Sequence, residues 1–358
     1  MALVDYMLDA PSYGWADEKG DLIKPTSKQL FSEFFTRLNI FKSKKNWLGF
    51  VSWMWIAMLA PFSVIFFVKY FSWKLLAAGF IYSMIFMGCH GTIWYHRYAT
   101  HRAFHFNGPV WKFITRNLVL KVILEEAYVV SHHVHHSKSE KPGDPYNCLA
   151  GGLYCFLADV NHQKIAQDLS EKDYEKVSGF LNHTGMYRNT YEEYKEWGSI
   201  ANPYRTAINW IGNWTFWYLV FFLIGGHALA FALFGSAAFW AVGIRTFNFE
   251  GHGKGEDKRK EGVDFNWEDL SVNQIWPGYV AGEWHNNHHL FPRSARNGFL
   301  PYQLDLPWYY IYTVHKLGGI DEYRNDQQQF LEKYYYPYQK DKKGGVSMSK
   351  IEVRENNK

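Results

Sequence analysis

From Trp47 to Val68 the chain carries no charged side chain, and from Leu75 to Tyr95 the only ionisable side chain apart from tyrosines and Cys89 is His90. At about 1.5 Å of rise per residue, either run is long enough to cross a hydrocarbon core of about 30 Å as an α-helix. Pro61 lies inside the first run, where a membrane helix tolerates a kink. Lys69 and Lys74 bracket a short turn, so the two runs form a hairpin. Thr206 to Gly226 and Ala228 to Ile244 form a second apolar pair around Gly225-Gly226-His227, with Trp240 and Arg245 marking the interface end of its last member. The expectation is an all-α integral membrane protein with four transmembrane helices in two hairpins.

Four crossings return the chain to its starting side. Arg37, Lys42, Lys44 and Lys45 precede the first span, and Arg97, Arg102, Lys112 and Arg116 follow the second. Only Lys69 and Lys74 lie opposite, so the positive-inside rule puts both termini in the cytoplasm. The chain then divides into a cytoplasmic lead-in (1–46), a first hairpin (47–95), a cytoplasmic region (96–205), a second hairpin (206–245), a further cytoplasmic region (246–338) and a tail (339–358). The lead-in holds an amphipathic helix near Ser27–Phe41, where Leu30, Phe34, Leu38 and Phe41 recur at helical spacing, and no cleavable signal peptide. The tail is polar and expected to be disordered. The two long cytoplasmic regions make a helical cap.

Aromatic residues are 19% of the chain, and its mean hydropathy of −0.31 averages very apolar with very polar segments. A net charge of +4, from 38 basic and 34 acidic residues, is too balanced for a nucleic-acid partner. Cys89, Cys148 and Cys155 form no C-x-x-C and are read as reduced thiols.

The cap carries the chemistry. His132, His135 and His136 fall at i, i+3 and i+4, on one face of a helix, and His285, His288 and His289 repeat the spacing. A looser pair, His96 and His101, follows the second apolar run. These eight of the sixteen histidines exceed the capacity of one ion and point to a dimetal site. Imidazole suits iron, zinc, copper and nickel alike, so the residues alone do not choose the metal. A zinc hydrolase needs about three histidines and an open position, which leaves most of this set unexplained. A metal transporter or store would line a path through the membrane, whereas these clusters lie on one side.

His96-Arg97-Tyr98-Ala99-Thr100-His101, His132-x-x-His135-His136 and His285-Asn286-Asn287-His288-His289 resemble the three histidine boxes of integral-membrane fatty acid desaturases. Neighbouring words match as well: Asp144-Pro145-Tyr146-Asn147, Gly282-Glu283-Trp284 and Leu290-Phe291-Pro292. The likeness runs from the first span to about residue 315, and its flavour is closest to the acyl-CoA desaturase branch, particularly bacterial members. It implies two iron ions per chain and O2 as co-substrate. It also adds a ligand pair after the last span, Asn248 acting through a bound water and His252, to the eight box histidines. The implied reaction puts a cis double bond into a long acyl chain, acyl-CoA foremost. A lipid or alkane hydroxylase using the same site is the alternative.

The chain has no cytochrome b5-like segment and no rubredoxin-like cysteines, so a separate donor, of cytochrome b5 or ferredoxin type, is expected to supply electrons. Asp144, Asn147, Glu250 and Glu283, with Glu126, are candidates to orient the imidazoles. Arg293 and Arg296 are candidates for a substrate head group. The protein is expected to be a multi-pass membrane protein with its site facing the cytoplasm, in a bacterial inner membrane rather than the endoplasmic reticulum. His90, His105, His133, His162, His183, His227 and His315 are read as structural or solvent-exposed.

Overall fold

The structure is a computed structural model that describes every residue except 1, 253–283, 302, 338–339 and 341–358. The tail expected to be disordered, 339–358, therefore lies outside the described residues apart from Lys340.

Among the described residues, three stretches are long and apolar enough to cross a membrane: Lys44–Tyr70, Trp73–Thr100 and Pro203–Gly251. Before them, helix α1 (Ser27–Leu38) starts with a capping box, in which Gln29 N donates to Thr26 Oγ1 and Thr26 N to Gln29 Oε1. It ends short of Phe41, which is 96% exposed, and buries Leu30 and Phe34 in a cluster with Tyr154, Leu157 and Val160, where the Phe34 ring meets Trp53.

Helix α2 (Trp47–Ile65) runs alongside the third stretch, with Trp55 stacked on Trp210 and the Phe62 ring tilted against Phe234, centroids 4.9 Å apart. The second stretch, here α3 (Trp73–Thr100), does not stop at Tyr95. It continues over Gly91–Thr100 as a wider π-helix, so His96 rides on the last turns of the span itself. Large apolar side chains such as Val68, Trp73 and Leu223 are more than three-quarters exposed along these stretches, which suits a lipid rather than a water boundary.

After α3 the chain forms a short strand β1 (Phe104–Phe106) and helix α4 (Pro109–Arg116). Residues 117–124 then run without helical structure through the bundle. Buried backbone N–H and C=O groups outside a helix need partners, and here the partners come from neighbouring helices. Trp217 Nε1 donates to Asn117 O (3.0 Å), Asn213 Nδ2 to Val119 O (3.2 Å), Trp214 Nε1 to Lys121 O (2.9 Å) and Tyr95 OH to Ile123 O (3.1 Å). Leu120 N donates to Tyr82 OH (3.0 Å), and Lys121 N to Asn213 Oδ1 (3.0 Å). Helix α5 (Glu125–Lys138) follows.

The long helix α6 (Pro203–Gly243) breaks at Gly225 and Gly226, where the backbone leaves helical values and Gly226 takes φ +67°. Trp214 and Phe234 have ring centroids 5.9 Å apart, although twenty residues of straight helix would separate them by about 30 Å. The chain doubles back at the two glycines, the pair that permits a positive φ without a Cβ penalty. A short helix α7 (Phe247–Gly251) ends this run, followed after the undescribed segment by α8 (His285–Leu290) and α9 (Leu306–Lys316). Strand β2 (Ile320–Tyr323) pairs antiparallel with β1, Phe104 opposite Tyr323, and ties the C-terminal part to the end of α3.

Candidate metal centre

Arg97, beside the first histidine, is 1% exposed. Its Nη2 ion-pairs with Asp305 (2.9 Å), itself 2% exposed, and its Nη1 donates to Ala295 O (2.6 Å). Asp305 also accepts from Asn297 N, Gly298 N and Trp308 N, which shapes the loop after α8. Asn287 on α8 donates to Asn297 O (2.7 Å) and to Gln303 (2.9 Å), and Trp284 Nε1 donates to Leu304 O (2.8 Å). A six-residue helix has little stability of its own; these clips hold it against α3 and α5.

Nine histidines meet as two groups. His96, His101, His132, His136 and His288 form one, and His135, His252, His285 and His289 the other, with the candidate ligand atoms of each group within 4.8 Å of one another. In the first, Nε2–Nε2 distances are 2.9 Å for His96–His288, 2.9 Å for His288–His136 and 3.1 Å for His136–His132. In the second they are 2.7 Å for His285–His252, 3.1 Å for His135–His252 and 3.1 Å for His289–His285.

Behind these nitrogens, His132 Nδ1 meets Tyr146 OH (3.0 Å), His135 Nδ1 meets Asp144 Oδ1 (3.0 Å) and His252 Nδ1 meets Glu140 Oε1 (2.6 Å). A carboxylate only accepts, so in His135 and His252 the proton sits on Nδ1 and the Nε2 lone pair points inward. Lone pairs this close repel one another unless a cation lies between them. Nitrogens bound about 2.0–2.1 Å from a metal and at right angles stand about 2.9 Å apart, the spacing found here. His101 Nε2 is buried without a hydrogen-bond partner among the described residues, as fits an atom that faces an ion. The donor set fits two metal ions.

Burial, and then mutual repulsion among the rings, holds His101, His132, His136, His285, His288 and His289 well below the ordinary imidazole range. The rings are therefore neutral at pH 7, the form that binds metal.

Beside the first group lies a cavity. Tyr128, which stacks on His132 at 5.4 Å, and Tyr146 both line it. Val122, Ile123, Leu124, Ala127, Ala241 and Ile244 supply apolar wall, and Ser52, Asp159, Gln163, Arg245 and Asn248 the polar part.

The family model for fatty acid desaturases matches residues 71–330. The chain belongs to that family. It is similar to the Delta-9 desaturase-like 1 protein of Arabidopsis thaliana, with 27% identity over 83% of this chain and 88% of the relative. The Acyl-CoA C20 Delta5-desaturase of Anemone leveillei is 26% identical over 69% of this chain and 73% of its own length. The sn-1 stearoyl-lipid 9-desaturase of Anabaena variabilis is 25% identical over 77% and 93%.

Within this desaturase-family fold the other candidate residues divide. Asn248 is half-buried in the cavity wall, one turn before His252. Asp144, 1% exposed, braces His135. Asn147 instead supports its own loop, accepting from Leu149 N and donating to Lys141 O. Glu126 is buried and accepts from Ser199 Oγ and Ala201 N, and Glu250 is half-buried on α7. Glu283 lies outside the described residues. Arg293 is exposed, while Arg296 gives Nε to Gly298 O and Nη1 to Gln327.

Two supporting groups escaped the sequence reading. Glu140 sits in Lys138-Ser139-Glu140-Lys141, which reads as a solvated charge run, and Tyr146 sits in the Asp144-Pro145-Tyr146-Asn147 word, where nothing singles out its phenol. No periodicity marks either one. Glu140 does fall four residues after His136, and that proximity was the available signal.

The remaining histidines are held elsewhere. His90 bonds Thr115 O (3.0 Å), His133 stacks on Phe180 (4.3 Å), His183 bonds Tyr98 O (3.0 Å) and His315 bonds Ile320 O (2.8 Å). His162 stacks on Tyr154 (3.9 Å), His227 meets Tyr218 OH (2.7 Å) and His105 is exposed on β1.

Proposed function

We propose that this protein is an O2-dependent di-iron desaturase that introduces a cis double bond into a long acyl chain, with acyl-CoA as the foremost carrier. The observation that carries the reading is the convergence of nine imidazoles, in two groups with facing Nε2 atoms, beside a cavity with an apolar wall. Bound iron with O2 supplies an oxidant strong enough to remove hydrogen from unactivated methylenes. The chain's own residues do the rest. Neutral imidazoles hold the ions without offering an easily oxidised thiolate. Asp144, Glu140 and Tyr146 fix ring tautomers and orientations. Asn248, one turn before His252, would hold a metal-bound water. The apolar wall from Val122 to Leu124, Ala127, Ala241 and Ile244 excludes bulk water and guides a chain whose methylenes offer no hydrogen bond to read.

The proposed topology is four crossings in two hairpins, with the fold-back at Gly225-Gly226 dividing the third apolar stretch. Both termini and the metal centre face the cytoplasm, on the charge bias flanking the spans. A bacterial inner membrane is the proposed setting, and a separate protein of cytochrome b5 or ferredoxin type the proposed electron donor. Arg293, exposed after the third box, is the better placed of the two head-group candidates.

The test is the lipid mass profile of a host expressing the chain, against the same host expressing His288→Ala. A species two mass units lighter, absent with the variant, is expected. A species sixteen units heavier would move the activity to hydroxylation. With neither, iron content of the purified protein decides, and normal protein without iron would end the proposal.

A further inference from the structure

The cavity beside His132 has a polar corner that its apolar walls do not account for. Arg245, on the run between α6 and α7, has a side chain only 10% exposed, and its Nη2 ion-pairs with Asp159 Oδ2 at 2.7 Å. Asp159 also accepts from Ser52 Oγ (2.7 Å) and Trp53 Nε1 (3.3 Å). The guanidinium lies over the Trp53 ring, 4.8 Å from its centroid, and Nη1 donates to Ala241 O. Its Nε, though buried, has no hydrogen-bond partner among the described residues. A buried donor left in that state costs its full desolvation, and native proteins rarely carry one that nothing satisfies.

The electrostatics say what would satisfy it. The positive charge of Arg245 is already balanced by Asp159. An anion at Nε would bring a second negative charge beside that carboxylate, in surroundings of low dielectric where like charges repel strongly. An uncharged acceptor takes the N–H without that penalty. Arg245 stands three residues before Asn248 and seven before His252, so an acceptor held there has a fixed distance to the metal centre.

We propose that Arg245 Nε–H binds the carbonyl oxygen of an acyl ester or thioester, and that this single polar anchor sets the register of the acyl chain in the cavity. Asp159 is the positioning residue that makes the site select an uncharged carbonyl over a free carboxylate. This rests on the acyl-chain reading above.

The test uses the purified, metal-loaded full chain in detergent and two neutral probes, methyl stearate and stearyl methyl ether, which differ in one carbonyl oxygen. The wild type should bind the ester about tenfold more tightly than the ether, the scale of one charge-assisted hydrogen bond. Removing Arg245 alone strands a half-buried carboxylate and threatens folding, so the variant is Arg245→Met with Asp159→Asn. It should bind the two probes equally and, in the expressing host, should scatter the double-bond position, which a merely structural role would not do. Equal binding of ester and ether by the wild type overturns the inference and leaves the acyl reading standing, with or without a folded variant. An ester preference that persists in the variant also overturns it. If the wild type binds neither probe, the inference and the acyl reading both fall.

Discussion

The two histidine groups are built from the same ring, yet they are assembled and supported differently. Helix α5 sends its i, i+4 pair, His132 and His136, to the first group and the residue between, His135, to the second. Helix α8 does the reverse, sending His288 to the first group and His285 with His289 to the second. Each helix therefore bridges both positions; His96 on α3 with His101 just past its end completes the first group, and His252 just past the end of α7 completes the second. A sequence cluster is a helix face; a metal position is made where faces from different helices cross.

The second difference is in what stands behind the rings. His135 and His252 lean on the carboxylates of Asp144 and Glu140, whereas His132 leans on the Tyr146 phenol. An anionic partner raises the basicity of the ligand nitrogen more than a neutral one does. The second group should hold its ion more tightly and down to lower pH.

The largest effect is expected from one ligand removed in each group. His288→Ala and His135→Ala should each lower metal content and abolish turnover, measured as metal per chain and desaturated product. Normal metal and full activity in either would break the picture of two complete groups.

Acid comes next. Six of these rings are held well below an ordinary imidazole pKa of about 6.5, by burial first and their neighbours second. The unfolded chain takes up those protons as pH falls through about 6.5 and the folded chain does not, so stability is whole above that pH and lost below it. Thermal unfolding of the metal-free protein should show a lower Tm at pH 5 than at pH 7.5, and in the loaded protein metal should leave the first group before the second. An unchanged Tm would show that the rings are not held neutral.

Smaller effects sharpen the contrast between carboxylate and phenol. Asp144→Asn or Glu140→Gln should weaken metal binding at the second group by about 10–100-fold. Tyr146→Phe should cost the first group less, and titration of metal into the three variants ranks them. An equal loss in all three would erase the distinction. Smallest of all, His133→Ala and His315→Ala should leave metal content at the wild-type level, since the first ring stacks on Phe180 and the second bonds a backbone carbonyl instead.

The sequence by itself determined the apolar stretches, the break at Gly225-Gly226 and eight of the nine converging histidines. Each of these is written in local order: uncharged length, a glycine pair, a spacing of three and four. His252 entered only through resemblance, because a lone loop histidine carries no periodicity.

Tertiary structure alone decided which histidine joins which group. It also decided that Glu140 rather than Asn147 braces a ring, and that residues 117–124 run unhelical through the bundle on side chains from α3 and α6. Those outcomes depend on groups far apart in the chain meeting in a low-dielectric interior, where an unpaired donor, charge or lone pair is costly. The meeting of Arg245 with Asp159, separated by 86 residues, is of the same kind. Local spacing can place a side chain on a face, but only packing selects the partner across from it.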